Sequence, residues 1–65
     1  MKVIYDEEVD AAHIRLSSKR PHGAIEVQEG FILHVTEEND LVAIEILDAS
    51  KRMPLKSLFS FEVAR

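Results

Sequence analysis

The sequence predicts an α+β fold, a small antiparallel β-meander of about five to six strands with one short helix after the fifth. Three observations carry this expectation. Apolar residues recur at every second position in several short runs, the period of a strand with one buried face. The connections between runs are only a few residues long and rich in Gly, Pro, Asn, Asp and Ser, which suits antiparallel neighbours and not the long crossovers of parallel pairs. The run from Leu41 to Met53, LVAIEILDASKRM, starts as a dense apolar strand and stops in the short polar residues Asp48-Ala49-Ser50, which open a helical turn.

Taken in order, Lys2-Val3-Ile4-Tyr5 is β-branched and aromatic and is expected as the first strand. The acids of Asp6-Glu7-Glu8-Val9-Asp10 break it with a solvated turn. In the second strand Ala12, Ile14 and Leu16 share one face, and His13 and Arg15 the other. Ser17 to Gly23, SSKRPHG, is the plainest loop. Ala24 to Gln28 forms a third strand with Ile25 and Val27 inward and Glu26 outward. Gly30 then takes a backbone conformation that other residues avoid. Phe31 to Thr36 is the fourth strand, and Glu37-Glu38-Asn39-Asp40 a hairpin turn whose Asn and Asp tolerate left-handed geometry. Leu41 to Leu47 is the fifth strand, dense enough in apolar residues to be central. Asp48 with Ser50 reads as the cap of the helix that follows, expected from about Ser50 to Leu58. The alternation of Phe59, Phe61 and Val63 with Ser60 and Glu62 predicts a last strand from Phe59 to Ala64.

Sixty-five residues make one domain. Folded surface scaling gives roughly 4,200 Å² exposed, with about 60% of the unfolded chain's surface buried, which is marginal for a domain standing alone. With no cysteine there is no disulfide and no thiolate metal site. Self-association or a partner protein is the expected compensation. The net charge is −4 and the basic residues are scattered, so direct binding to nucleic acid is not expected. No apolar run approaches the ~20 residues of a membrane span, and MKVIYDEE meets acids too early for a signal peptide. The expected location is cytoplasmic.

Three blocks carry a family resemblance: Tyr5-Asp6 with Asp10-Ala11-Ala12-His13-Ile14-Arg15-Leu16, then Gly30, then Leu41 to Arg52. In this order they resemble the bacterial and archaeal domain of unknown function 2283. That family usually reads D-A-L-Y-I-R-L where this chain has Asp10 to Leu16, and L-V-G-I-E-I-L-D-A-S where it has Leu41 to Ser50. Here Ala12 stands for the leucine, His13 for the tyrosine and Ala43 for the glycine. The resemblance covers nearly the whole chain and implies a small sheet-plus-helix fold. For some members it also implies the antitoxin half of a two-gene pair, beside a small ribonuclease-like toxin.

Few residues invite a chemical role. His13 and His34 both face away from the apolar sets of their strands, and on one face they would meet near Glu26 or Glu45. A carboxylate between Ile44 and Ile46 either faces solvent or is paired, with Arg15 or Arg52 as the nearest candidates. His13, Arg15, His34 and Glu45 therefore make the candidate functional face. Phe59, Phe61 and Val63, with Lys51 and Arg52, make the candidate partner-binding set, because an apolar edge strand can add to another sheet. The plainer readings are surface histidines, a structural Glu45 and a solvated helix end. No catalytic, cofactor or metal residue is assigned, and no cofactor is expected.

The function expected is a non-enzymatic interaction module, a homodimer or the partner of a small protein such as a basic ribonuclease-like toxin. The alternative is a small metal-binding or hydrolytic protein using His13, His34 and Glu45. It requires these side chains to converge.

Overall fold

The computed structural model describes residues 1–60 and 62–64. Five antiparallel strands form one sheet: β1 (Lys2–Asp6), β2 (Ala11–Arg15), β3 (Gly23–Gln28), β4 (Phe31–Val35) and β5 (Leu41–Leu47). Every pairing is antiparallel, as the short connections require. The order across the sheet is β1-β2-β5-β4-β3, so β5 is central as its composition predicts. It is not the simple meander expected, however. β2 and β3 do not pair; β3, β4 and β5 fold back in sequence and deliver β5 beside β2, a Greek-key arrangement. The loop of residues 16–22 crosses the end of the sheet to make this possible. Three strand spacings are about 14 Å, and a chain of that length reaches about 23 Å when extended.

Two turns are set by left-handed residues. Gly30 has φ 81°, closing the β3–β4 turn, and Asn39 has φ 68° in the β4–β5 turn. In the latter turn Asp40 N–H donates to Thr36 Oγ1 at 3.0 Å. A bulge sits on β5: His34 pairs with Ala43 and Val35 with Leu41, leaving Val42 as the extra residue. Its carbonyl accepts from Leu16 N–H at 2.8 Å and Ser17 N–H at 3.2 Å. The bulge breaks the in–out alternation, and Val42 and Ala43 are both fully buried.

The C-terminal segment covers one face of the sheet. The helix α1 (Ala49–Arg52) is a single turn, shorter than the Ser50–Leu58 helix expected. Met53 turns extended (φ −159°, ψ 156°) ahead of Pro54, because the proline ring disfavours helical geometry in the residue before it. A 3-10 turn over Leu55–Phe59 follows. Leu55 and Leu58 stand three apart, one turn of a 3-10 helix, and with Met53 they pack on Ala12, Ile46 and Ala49. The terminal strand expected over residues 59–64 is not formed among the described residues: Phe59 ends the 3-10 turn, and Ser60 and residues 62–64 are irregular. Phe61 lies outside the described residues.

Candidate functional site

The face left open by the C-terminal segment holds the candidate residues. Directly opposed residues of antiparallel strands share a face, so the register reads off two rows. One runs Ile4, His13, Glu45, Ile32, Glu26, and the next Lys2, Arg15, Ala43, His34, Ala24. His13 on β2 and His34 on β4 flank β5, whose neighbours stand about 9.6 Å apart. Their ring centroids are nevertheless only 6.0 Å apart, so the rings lean inward across β5. Ala43 makes room with its small side chain and is fully covered in return.

The structure therefore brings His13, His34 and Glu45 together. His34 Nε2 lies 3.2 Å from Glu45 Oε1, both side chains roughly a quarter to a third exposed (26% and 32%). The partner of Glu45 is this histidine, not Arg15 or Arg52. Arg15, on the same face, reaches the loop and donates from Nη2 to the Lys19 carbonyl at 3.4 Å. His22 is exposed in the loop. Among the described residues, no three His, Asp or Glu side chains are placed to hold a metal ion. The face is open. A hollow of about 370 Å³ lies elsewhere, between Lys19–His22 and Thr36–Glu38, with the exposed Lys19–Asp40 ion pair (2.9 Å) nearby.

Lys51 and Arg52 behave differently from each other. Lys51 is exposed. Arg52 is tied into the fold: its Nε donates to the Leu47 carbonyl at 2.7 Å, and its guanidinium sits 5.4 Å from the Phe31 ring centroid. The space it occupies exists because residue 30 is glycine; a Cβ there would overlap the guanidinium. Phe59 (66%) and Val63 (59%) are exposed, but Phe59 ends the 3-10 turn and Val63 lies in irregular chain, so neither is on a strand edge.

One polar node was not foreseen from sequence. Asp10, in left-handed geometry (φ 53°), caps α1 from forty residues away. Its carbonyl accepts from Ala49 N–H at 2.9 Å and its carboxylate from Ser50 N–H (3.0 Å) and Ser50 Oγ (2.7 Å). Tyr5 donates its hydroxyl to the same carboxylate at 2.7 Å. Asp48, expected as the cap, is itself left-handed and makes no side-chain cap bond. The Tyr5 and Ser50 bonds hold the Asp10 carboxyl below its usual range, and the bond to Asp10 pushes the Tyr5 phenol up to about 12. The signal lay in the sequence as three polar residues with no partner nearby, but nothing local joins them.

The family model described as "Protein of unknown function (DUF2283)" matches residues 2–50. No curated protein and no solved structure matches the chain. No helix among the described residues is long and apolar enough to cross a membrane.

Proposed function

The chain belongs to the family of proteins of unknown function DUF2283, and from that premise we propose that it is a non-enzymatic module that works by association, with itself or with a small protein. The observation that carries this reading is the mismatch between surface and core. The exposed area is 5115 Å², against roughly 4,200 Å² for a compact chain of this mass. Among the described residues Val42 is the only large side chain fully buried. A standard interface removes about 800 Å² from each partner, close to that surplus. Ile4, Ile25, Val27, Phe59 and Val63 are exposed apolar side chains at several places on the surface, and an interface at any one of them would cover part of this set.

A finer version makes the module the antitoxin half of a toxin–antitoxin pair in the cytoplasm. Its charge of −4 complements the basic RNA-binding surface of a ribonuclease-like toxin. Affinity capture from the source organism with mass spectrometry, beside sedimentation velocity of the purified chain, tests both levels. A stoichiometric small basic protein whose toxicity the chain relieves supports the antitoxin version. A dimer and no such protein leaves self-association. A monomer that captures nothing removes the reading.

The His34–Glu45 contact at 3.2 Å beside the His13 ring favours a second reading, a small metal-binding or hydrolytic protein, although no three such side chains among the described residues are placed to hold a metal ion by themselves. Equilibrium dialysis with zinc and with manganese decides it. Stoichiometric binding abolished by His34→Ala supports it, and no binding at about millimolar metal sinks it.

A further inference from the structure

We infer that β1 is a self-complementary edge through which two copies of this chain join their sheets, pairing antiparallel about a two-fold axis at Ile4. The inference rests on the association reading above and specifies its geometry.

Leu16 N–H donates to the Val42 carbonyl on β5, and in an antiparallel ladder alternate residues bond to opposite sides. Residues 12, 14 and 16 therefore bond to β5, and residues 11, 13 and 15 bond to β1. The β1 residues opposite these are Asp6, Ile4 and Lys2. Val3 and Tyr5 consequently aim their N–H and C=O groups at the free side of β1, which is an outermost strand of the sheet.

Register follows from parity. A strand pairing antiparallel with its own copy must match residues of the same face, so the two-fold axis passes through a residue. Only the axis at Ile4 pairs Val3 with Tyr5 of the second copy and uses all the outward groups, each pair exchanging both of its main-chain bonds. The same register sets Ile4 against Ile4 and Lys2 against Asp6 at both ends. These are the closer, non-hydrogen-bonded pairs, in which side chains interact most. Opposite charges therefore meet twice, and Ile4, 47% exposed in the single chain, is covered.

The other edge lacks this complementarity. β3 carries a bulge between Glu26 and Gln28, follows Pro21, and offers Glu26 and Glu29 with no basic partner on the strand. Bulges, prolines and uncompensated charges are the devices that keep an edge unpaired. β1 is regular over all five of its pairings with β2.

The test uses the absence of cysteine from the chain. The spacing of non-hydrogen-bonded pairs suits a disulfide, so Ile4→Cys under mild oxidant is expected to cross-link at least about tenfold faster than Ile25→Cys. In sedimentation equilibrium, Lys2→Asp sets like charges together at both ends and is expected to weaken the dimer by about tenfold or more. The double variant Lys2→Asp/Asp6→Lys is expected to restore it to within about threefold. A dimer cross-linked by Ile25→Cys and not by Ile4→Cys, or indifferent to Lys2→Asp, overturns the β1 edge and leaves association standing. A wild-type chain that stays monomeric at about 200 µM overturns the β1 edge, and the association reading falls with it when that chain also captures no partner.

Discussion

At the scale of single residues, the fold depends on a few side chains that join segments far apart in sequence. Asp10 receives both Tyr5 and Ser50, so its charge and the proton on Tyr5 favour the folded chain together. The lowered Asp10 pKa contributes stability above the ordinary carboxylate range, and this is lost as pH falls below about 4. The raised Tyr5 pKa contributes below about 10, and that part is lost as pH rises toward about 12. Because Tyr5 is the only tyrosine, the absorbance of tyrosinate reads it directly. Its titration midpoint should lie near 12 in the folded chain and fall toward about 10 in Asp10→Asn. Gly30 is a second such point. Gly30→Ala meets both a left-handed φ and the Arg52 guanidinium, and should cost about 1–2 kcal/mol in a denaturant melt. In the Gly30→Ala background, Arg52→Ala should cost less than it does in the wild type, since the contact is already disturbed. The special backbone of Gly30 was legible because glycine declares it. The roles of Asp10 and Arg52 were not, because the bonds from Ser50 to Asp10 and the packing of Arg52 on Gly30 and Phe31 join segments far apart in sequence and leave no local pattern.

At the scale of elements, strand positions followed from alternation and turn chemistry, and the order of the strands did not. Period two says which side chains share a face; it does not say which strand lies alongside. The convergence of His13, His34 and Glu45 was half legible for that reason. Their shared face was readable, but their proximity needed β5 between β2 and β4. In the C-terminal segment two periods competed. Phe59 and Val63 suggested a strand, whereas Leu55 and Leu58, three apart beyond Pro54, suited a tight turn and were the pair buried against the core. This ranking is measurable. Leu58→Ala should destabilise by roughly 1–2 kcal/mol, and Phe59→Ser should change stability by no more than about 0.5 kcal/mol in the monomer. Equal costs at the two positions would mean that the segment is packed another way round.

At the scale of the whole molecule, the sheet is one layer with a partial cover. Its extents are 33 × 33 × 19 Å and its radius of gyration 12.4 Å, above the roughly 10.7 Å of a compact domain of this length. The sequence made this legible through its length and through its lack of cysteine. Stability should therefore depend on association. The melting temperature is expected to rise by several degrees between about 5 and 200 µM protein, because a species that binds only folded chains stabilises them by mass action. A melting temperature that ignores concentration would point to a monomer stable on its thin core. Lys2→Asp should flatten the dependence if β1 is the joining edge.

The position of β5 also has a consequence in time. It is the last strand made and the middle strand of the sheet. Until Leu41–Leu47 leaves the ribosome, the chain holds β1–β2 and β3–β4 as separate hairpins with nothing between them, and an isolated hairpin is marginal in water. On this topology the two hairpins have no common sheet to join until that one strand stands between them.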